Sequence, residues 1–251
     1  MLTDTHCHLD AAEFDSDRGD VVSRARDAGV GKFVVPAVER KGFGKVLEIC
    51  GRYPGCYPAL GIHPMYVEDA CPGDIDVLHS RAGEAVAVGE IGLDFFVEGY
   101  DRGKQLSYFE SQLRLAQEFD LPVLLHIRRA QDAVLSCLRK TRVKGGIAHA
   151  FNGSLQQAQE FIKLGFKLGF GGAMTYDRAS RIRFLAGNLP LEAIVLETDA
   201  PDMPPAFIGK ARNSPEYLPK IAEVIAQLRK ISVNEIMIAT TANAVEILEL
   251  E

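Results

Sequence analysis

The sequence predicts an α/β chain folded as a (β/α)₈ TIM barrel, and three observations carry that prediction. Short apolar or β-branched runs recur eight times along the 251 residues. Helical patterns lie between them, so strand and helix alternate as they do around a parallel sheet. The length agrees as well, because eight such units close a barrel in about 250 residues. A doubly wound open sheet is the competing architecture, but no G-x-G-x-x-G follows the first strand.

The strands are expected at residues 2–9, 32–38, 56–62, 85–91, 122–127, 145–151, 166–172 and 193–199. Each is a run such as KFVVPAV, PVLLHI or AIVLETD, bounded by turn or helix residues. Among the helices, Leu106, Phe109, Leu113 and Ala116 share one face at i, i+3, i+7 spacing. Leu155, Ala158, Ile162 and Gly165 repeat the pattern, with Ser154 placed as N-cap. Leu218, Ile221, Ala222, Ile225 and Leu228 mark a longer helix with Pro215 in its first turn. No low-complexity linker, composition shift or solenoid repeat interrupts the chain, so residues 1–251 are expected to form a single domain.

Composition narrows the functional classes. With 47% hydrophobic and 25% charged residues the chain is an ordinary globular one. No apolar run approaches the roughly 20 residues that span a bilayer. Five cysteines without a CxxC pair, and an acidic N-terminus without a signal peptide, predict reduced thiols in a cytoplasmic protein. A net charge of −6 argues against a non-specific polyanion binder. Bound divalent cations would offset much of that charge and concentrate positive potential in one pocket.

The chemistry gathers at strand ends, where barrels of this kind build their active sites. The chain opens on DTHCHLD, with His6 and His8 at the end of the first strand. GIHP brings His63 to the end of the third, and GEIGLD brings Glu90 to the fourth. His126 ends the fifth, His149 the sixth, and ETDAP brings Asp199 to the eighth. Of six histidines only His79 looks helical. Any one of these residues is as easily a satisfied core histidine or a polar loop start; the constellation is what makes a metal site the better reading.

Because strand side chains alternate, His6 and His8 share a face and Cys7 points to the helices. Asp4 shares their face one step deeper, where a carboxylate can orient an imidazole N–H. Glu197 stands in the same relation to Asp199, as a partner of a ligand or as a buried carboxylate of the barrel layers. Four imidazoles and two carboxylates suit Zn²⁺ or Mn²⁺, and Mg²⁺ less well. Six ligands exceed what one catalytic ion with an open position needs. Two divalent ions sharing Glu90 accommodate them, since strand 4 lies between the strands that carry the other ligands.

In order and spacing, DTHCHLD, GIHP, GEIGLDFF, LLHIRR, HAFNGSLQQA, GFGGAMTY and LETDAPDMPP resemble the TatD family of metal-dependent hydrolases, of the amidohydrolase superfamily. The match runs from residue 3 to about 215, and RNSPEYL and TTANAVEIL resemble its C-terminal blocks more loosely. The resemblance implies that His6, His8, Glu90 and Asp199 hold one ion, and Glu90, His126 and His149 the other. It implies a deoxyribonuclease that removes nucleotides from a 3′ end. Two residues depart from the pattern, Ile127 after the strand-5 histidine and Ser214 before Pro215, and both are expected to bear on the substrate rim.

The mechanism that follows makes Asp199 the acceptor of the attacking water's proton and Glu90 the bridging carboxylate. His63, beyond the saturated ligand set, and Arg128, two residues past His126, are the candidates for contacting a substrate phosphate. Arg129 is expected to face solvent. Arg178, Arg181, Arg183, Lys210 and Arg212 bracket strand 8 and are candidates for a phosphate-binding rim. GFGG at 169–172 lacks the Lys-Ser/Thr of a P-loop, so close packing is its expected use. Tryptophan is absent and no aromatic ladder is recognisable, which favours end-directed chemistry on DNA over sequence reading. Neither a membrane nor an obligate protein partner is implied. Two rivals remain: a two-metal hydrolase of a small ester, amide or aminoacyl substrate, and a metal-stabilised scaffold without catalysis.

Overall fold

Eight parallel strands follow one another around the sheet in sequence order, β1-β2-β3-β4-β5-β6-β7-β8. The computed structural model describes residues 1–251. The strands are β1 (Leu2–Asp4), β2 (Val30–Pro36), β3 (Cys56–Leu60), β4 (Ala87–Asp94), β5 (Val123–Arg128), β6 (Gly146–Ala148), β7 (Phe166–Phe170) and β8 (Ile194–Leu196). Between them run α1 (Arg18–Asp27), α2 (Phe43–Arg52), α3 (Gly73–Arg81), α4 (Arg102–Glu118), α5 (Gln131–Lys140), α6 (Leu155–Lys163) and α7 (Ser180–Asn188). Two more helices, α8 (Leu218–Arg229) and α9 (Val233–Leu248), complete the chain.

The first and last strands close on each other through single hydrogen bonds rather than a ladder. Thr5 N–H donates to the Leu196 carbonyl at 3.0 Å, and Asp199 N–H to the His6 carbonyl at 2.8 Å. Both bonds lie where chain leaves the sheet, so the seam of the barrel is also the place where ligand-type residues meet.

Alternation sorts the side chains into two cores. The larger cluster of 55 buried residues fills the space between strands and helices and includes Cys7, as expected. A smaller cluster takes Val34, Leu124, Ile147 and Val195 from the inner strand faces and Leu248 and Leu250 from the chain's end. Leu124, Ile147 and Val195 stand two residues before His126, His149 and Glu197, and so share their inward face. The middle of the barrel is therefore apolar and α9 stoppers its lower end, where Lys32, Tyr57 and Lys167 form a separate polar set, and the ligand-type residues stand at the mouth.

Local sequence explains the helix limits. Ser154 and Gln157 form a reciprocal capping box on α6, which fixes the predicted N-cap. Leu155 is exposed, however, and Phe161 takes the buried place expected of it. Gly165 falls beyond the helix, at a φ of 86° that suits the turn into β7. Pro215 opens a short 3₁₀ turn ahead of α8, and the proline in the first turn of α8 is Pro219. His79 lies on α3, away from the mouth. All five cysteines are free. No helix is long and apolar enough to cross a membrane.

Candidate metal centre

The strand ends bring His6, His8, Glu90, His126, His149 and Asp199 together at the mouth, with His63 among them. Glu90 is central and almost wholly buried. Its Oε2 lies 3.2 Å from His6 Nε2 and 3.8 Å from His8 Nε2. Its Oε1 lies 3.1 Å from His126 Nδ1 and 3.6 Å from His63 Nε2. One carboxylate thus faces two imidazoles with each oxygen. Asp199 closes the other side: Oδ1 is 3.5 Å from His8 Nε2 and Oδ2 is 3.6 Å from His149 Nε2. His149 stacks on His6 with ring centroids 3.6 Å apart, so it neighbours Asp199 rather than His126. Three groups have ligand atoms close enough for a shared cation: His6–His8–Glu90, His6–His149–Asp199 and His63–Glu90–His126.

The donor set fits a cation on its own terms. Both ring nitrogens of His6 are buried without a hydrogen-bond partner. Nε2 nonetheless points among carboxylate oxygens, off the line that a hydrogen bond needs. A buried lone pair beside carboxylates is expensive unless a cation satisfies both. The local field says the same. Burial pushes Glu90 up, but His6, His63 and His126 outweigh it and hold the carboxyl well below the usual carboxylate range. Burial likewise opposes ionisation of Asp199, and His149 with His8 overcomes it. Burial would depress His8, yet Asp199 and Glu90 raise it to about 9. His149 is raised well above its ordinary value by Glu197 and Asp199 against the same penalty. His6, beside the His149 ring, is lowered, first by burial. The mouth favours positive charge, and His6 is a neutral buried imidazole placed to receive it.

The residues behind this layer divide differently from expectation. Glu197 is buried against His149, its Oε1 3.0 Å from Nδ1, and it also accepts the Ala150 N–H at 2.6 Å. The GFGG segment makes room for it: a methyl group on Gly169 or Gly171 would run into Glu197, and one on Gly172 into the Met203 carbonyl. Asp4 orients no imidazole. It accepts from the Thr198 N–H at 2.9 Å and from the Thr198 hydroxyl at 2.5 Å, and so ties β1 to the segment that carries Asp199. Burial is complete and raises its carboxyl to about 7. Asn213 holds the same segment from outside, its Nδ2 reaching the Thr198 and Asp202 carbonyls at 2.8 Å each.

Asp94 is the residue that sequence reasoning missed. It stands four places after Glu90 on β4, on the same face by strand alternation, and its Oδ2 lies 3.1 Å from His126 Nε2. Burial notwithstanding, His126 and the Phe96 and Val97 N–H groups lower its carboxyl to about 2. His126 is therefore held between Glu90 and Asp94. His63 is held differently. Its Nδ1 accepts the Met65 N–H at 3.2 Å, which leaves Nε2 as the protonated nitrogen of the neutral ring. Burial keeps that ring neutral, lowering it to about 3. The nitrogen turned toward Glu90 is thus a donor, and His63 suits an incoming acceptor better than a cation.

Above these residues opens a cleft of about 1010 Å³ lined by Tyr66, Phe96, Arg128, Arg129, Asn152 and Arg181 among others. Arg128 is half exposed there, its guanidinium 3.8 Å from the centre of the Phe96 ring. Arg129 is exposed, as alternation suggests, but on the cleft side. Its φ of 54° breaks the strand and swings its guanidinium to 4.5 Å from the same ring. Four of the seven non-glycine residues with positive φ line this cleft: Arg129, Ala150, Asp199 and Met203. Of the five cations flanking strand 8, only Arg181 lines this cleft, bound to Asn152 Oδ1 at 2.8 Å. Arg183 pairs with Asp177, Arg212 with Asp17, and neither they nor Lys210 line it. Ile127 lines it, whereas Ser214 is buried and lies off the rim.

A parallel barrel whose mouth gathers imidazoles and carboxylates beneath an open cleft defines a metal-dependent hydrolase. Comparison with known proteins makes this particular. The family model described as TatD related DNase matches residues 3–249. The metal-dependent hydrolase YjjV of Escherichia coli (strain K12) is 41% identical over 245 residues, covering 96% of this chain and 95% of that protein. The crystal structure of YjjV, a TatD homologue, superposes with a TM-score of 0.96 over 100% of this chain and 98% of that one, at 39% identity. Human deoxyribonuclease TATDN3 is 32% identical, covering 98% of this chain and 94% of its own length. The chain belongs to the TatD family of metal-dependent hydrolases.

Proposed function

We propose that this hydrolase is a two-metal deoxyribonuclease that removes nucleotides from the 3′ end of a DNA strand. The observation that carries the reading is Glu90, whose two oxygens each face a separate pair of imidazoles. A carboxylate so placed can be shared between two cations, with His126 the ligand and His63 the donor of the pair that faces Oε1. His6, His8, Glu90 and Asp199 would hold the first ion and Glu90 with His126 the second. His149, which lies against His6 and Asp199, would have to turn toward His126 to complete the second set that the family resemblance implies. His63, which stands beside His126, remains a donor to substrate. Two bound divalent ions, Zn²⁺, Mn²⁺ or Mg²⁺, would acidify a water and neutralise phosphate charge.

The remaining work falls to the chain. Asp199, kept ionised by its neighbours, takes the proton of the attacking water on its carboxylate. Oxygen attacks phosphorus, the bond from phosphorus to the 3′ oxygen of the remaining strand breaks, and the proton held by Asp199 passes to that oxygen, which frees the terminal 5′-nucleotide. His63 donates its Nε2–H to a phosphate oxygen. Glu197 fixes the orientation of His149, and Asp94 that of His126. Arg128 and Arg129 on one wall and Arg181 on the other balance the charge of the strand. A substrate of this class agrees with the name of the human relative, and with the three guanidiniums of Arg128, Arg129 and Arg181 that line the cleft.

The test uses chelator-stripped protein reloaded with Mg²⁺, Mn²⁺ or Zn²⁺ and single-stranded oligonucleotides labelled at either end. The expected result is metal-dependent shortening from the 3′ end, absent in Asp199→Asn. Protein that holds its metal but shortens no oligonucleotide would overturn the reading.

A further inference from the structure

Beside the metal cleft lies a second pocket, of about 670 Å³, between the segment after β7 and the first turn of α7. The two share Asn152, Arg181 and Met203, so they are continuous, and one trough runs from Phe96 past the ligands to Tyr176. The side pocket has no acidic residue in its lining, although the chain carries 34 acidic residues against 28 basic ones. It holds two guanidiniums, Arg178 and Arg181, and neither forms an ion pair; Asp177, between them and β7 in sequence, is turned to Arg183.

An aromatic ring accompanies the cations. Tyr176 is partly buried, and its hydroxyl donates to the Pro204 carbonyl at 3.0 Å, which fixes the ring in the pocket wall. Arg178 lies over it, 5.4 Å from the ring centre. At the far end of the trough Phe96 carries Arg128 and Arg129 in the same manner. A ring that stacks a base beside a guanidinium that meets a phosphate is the unit by which single strands are held without sequence reading. Here that unit occurs twice, with the ligand cluster between the two copies.

We infer that the Tyr176–Arg178–Arg181 pocket is a nucleotide-binding subsite, which takes a base and phosphate of the strand beyond the bond being cleaved. The inference rests on the nuclease reading and extends it: the substrate is an oligonucleotide that spans the trough, not a mononucleotide ester held at the ligands alone. Tyr176 stacks the base, Arg178 and Arg181 meet the phosphate, and Phe96 with its two arginines engages the strand on the other side.

The experiment compares metal-loaded protein with Tyr176→Ala and Arg178→Gln on two substrates, a single-stranded octamer and bis(p-nitrophenyl) phosphate. Binding of a labelled octamer is followed in parallel by fluorescence anisotropy in an Asp199→Asn background. The subsite predicts that each variant raises the octamer KM and dissociation constant about tenfold, in line with the loss of one stacked base. Its kcat holds, and the ratio of octamer to small-ester kcat/KM falls by the same factor. Arg178→Gln also lowers the salt slope of octamer binding by about one. Equal losses on both substrates, or octamer constants unchanged, would overturn the subsite while the parent's cleavage of DNA left the nuclease reading standing. A parent protein that cleaves the small ester but neither binds nor cuts the octamer would overturn both.

Discussion

The floor and the rim of the cleft are built on the same strand ends but by different means. Floor residues are buried, and strand alternation aims them: Leu124 points inward and so does His126, Ile147 and so does His149. Each has a second group beside it, His149 with Glu197 3.0 Å from its Nδ1 and His126 hydrogen-bonded to Asp94. Rim residues are exposed or half-buried, stand at element ends or beyond them, and are aimed by irregular backbone and aromatic rings, as Arg129 is by its positive φ and by Phe96. The difference teaches where precision is needed. Reacting atoms tolerate little displacement, whereas a phosphate backbone accepts charge from many directions.

The comparison can be sharpened by breaking each part. Asp199→Asn, on the floor, should lower kcat about 10³-fold with the barrel intact by circular dichroism, as loss of a general base does. Wild-type rates would remove the base from the floor. His63→Gln should lower kcat about a hundredfold, the usual cost of one oxyanion donor, while the metal content stays at the parent level. Loss of an ion in that variant would make His63 a ligand instead. Glu197→Gln should weaken metal binding roughly 10–100-fold in chelator competition, because it loosens His149 without removing a ligand. Unchanged affinity would reduce Glu197 to a buried carboxylate. The smallest effect belongs to the rim: Arg129→Gln should raise the oligonucleotide KM several-fold and lower its salt slope by about one, leaving kcat in place. A fall in kcat instead would mean that the rim, too, aligns the reaction.

The same division decides what the sequence made legible. The ligand-type residues could be read because a period of two, applied to eight strands, leaves few positions at the mouth. Asp94 obeys that period and was available to the same reasoning; GEIGLD carries it four residues past Glu90 on one strand face. Asp4 obeys the period as well, but the pattern cannot tell an imidazole partner from the Thr198 hydroxyl, which comes from the far end of the chain. The rim was not legible. Arg129 sits where a non-glycine residue takes up a left-handed backbone, and Tyr176 and Phe96 meet their arginines only through loop geometry. The absence of tryptophan suggested that no stacking surface existed, yet two rings with guanidiniums flank the cleft.

The central claim is a carboxylate shared by two ions, and it is tested most directly by counting them. Stripped protein and Glu90→Gln would each be titrated with Mn²⁺ or Zn²⁺ by calorimetry, and bound metal confirmed by elemental analysis after desalting. The account predicts two ions per chain in the parent and at most one in Glu90→Gln, with both proteins folded. A single ion in the parent, or two ions retained in Glu90→Gln, would contradict it.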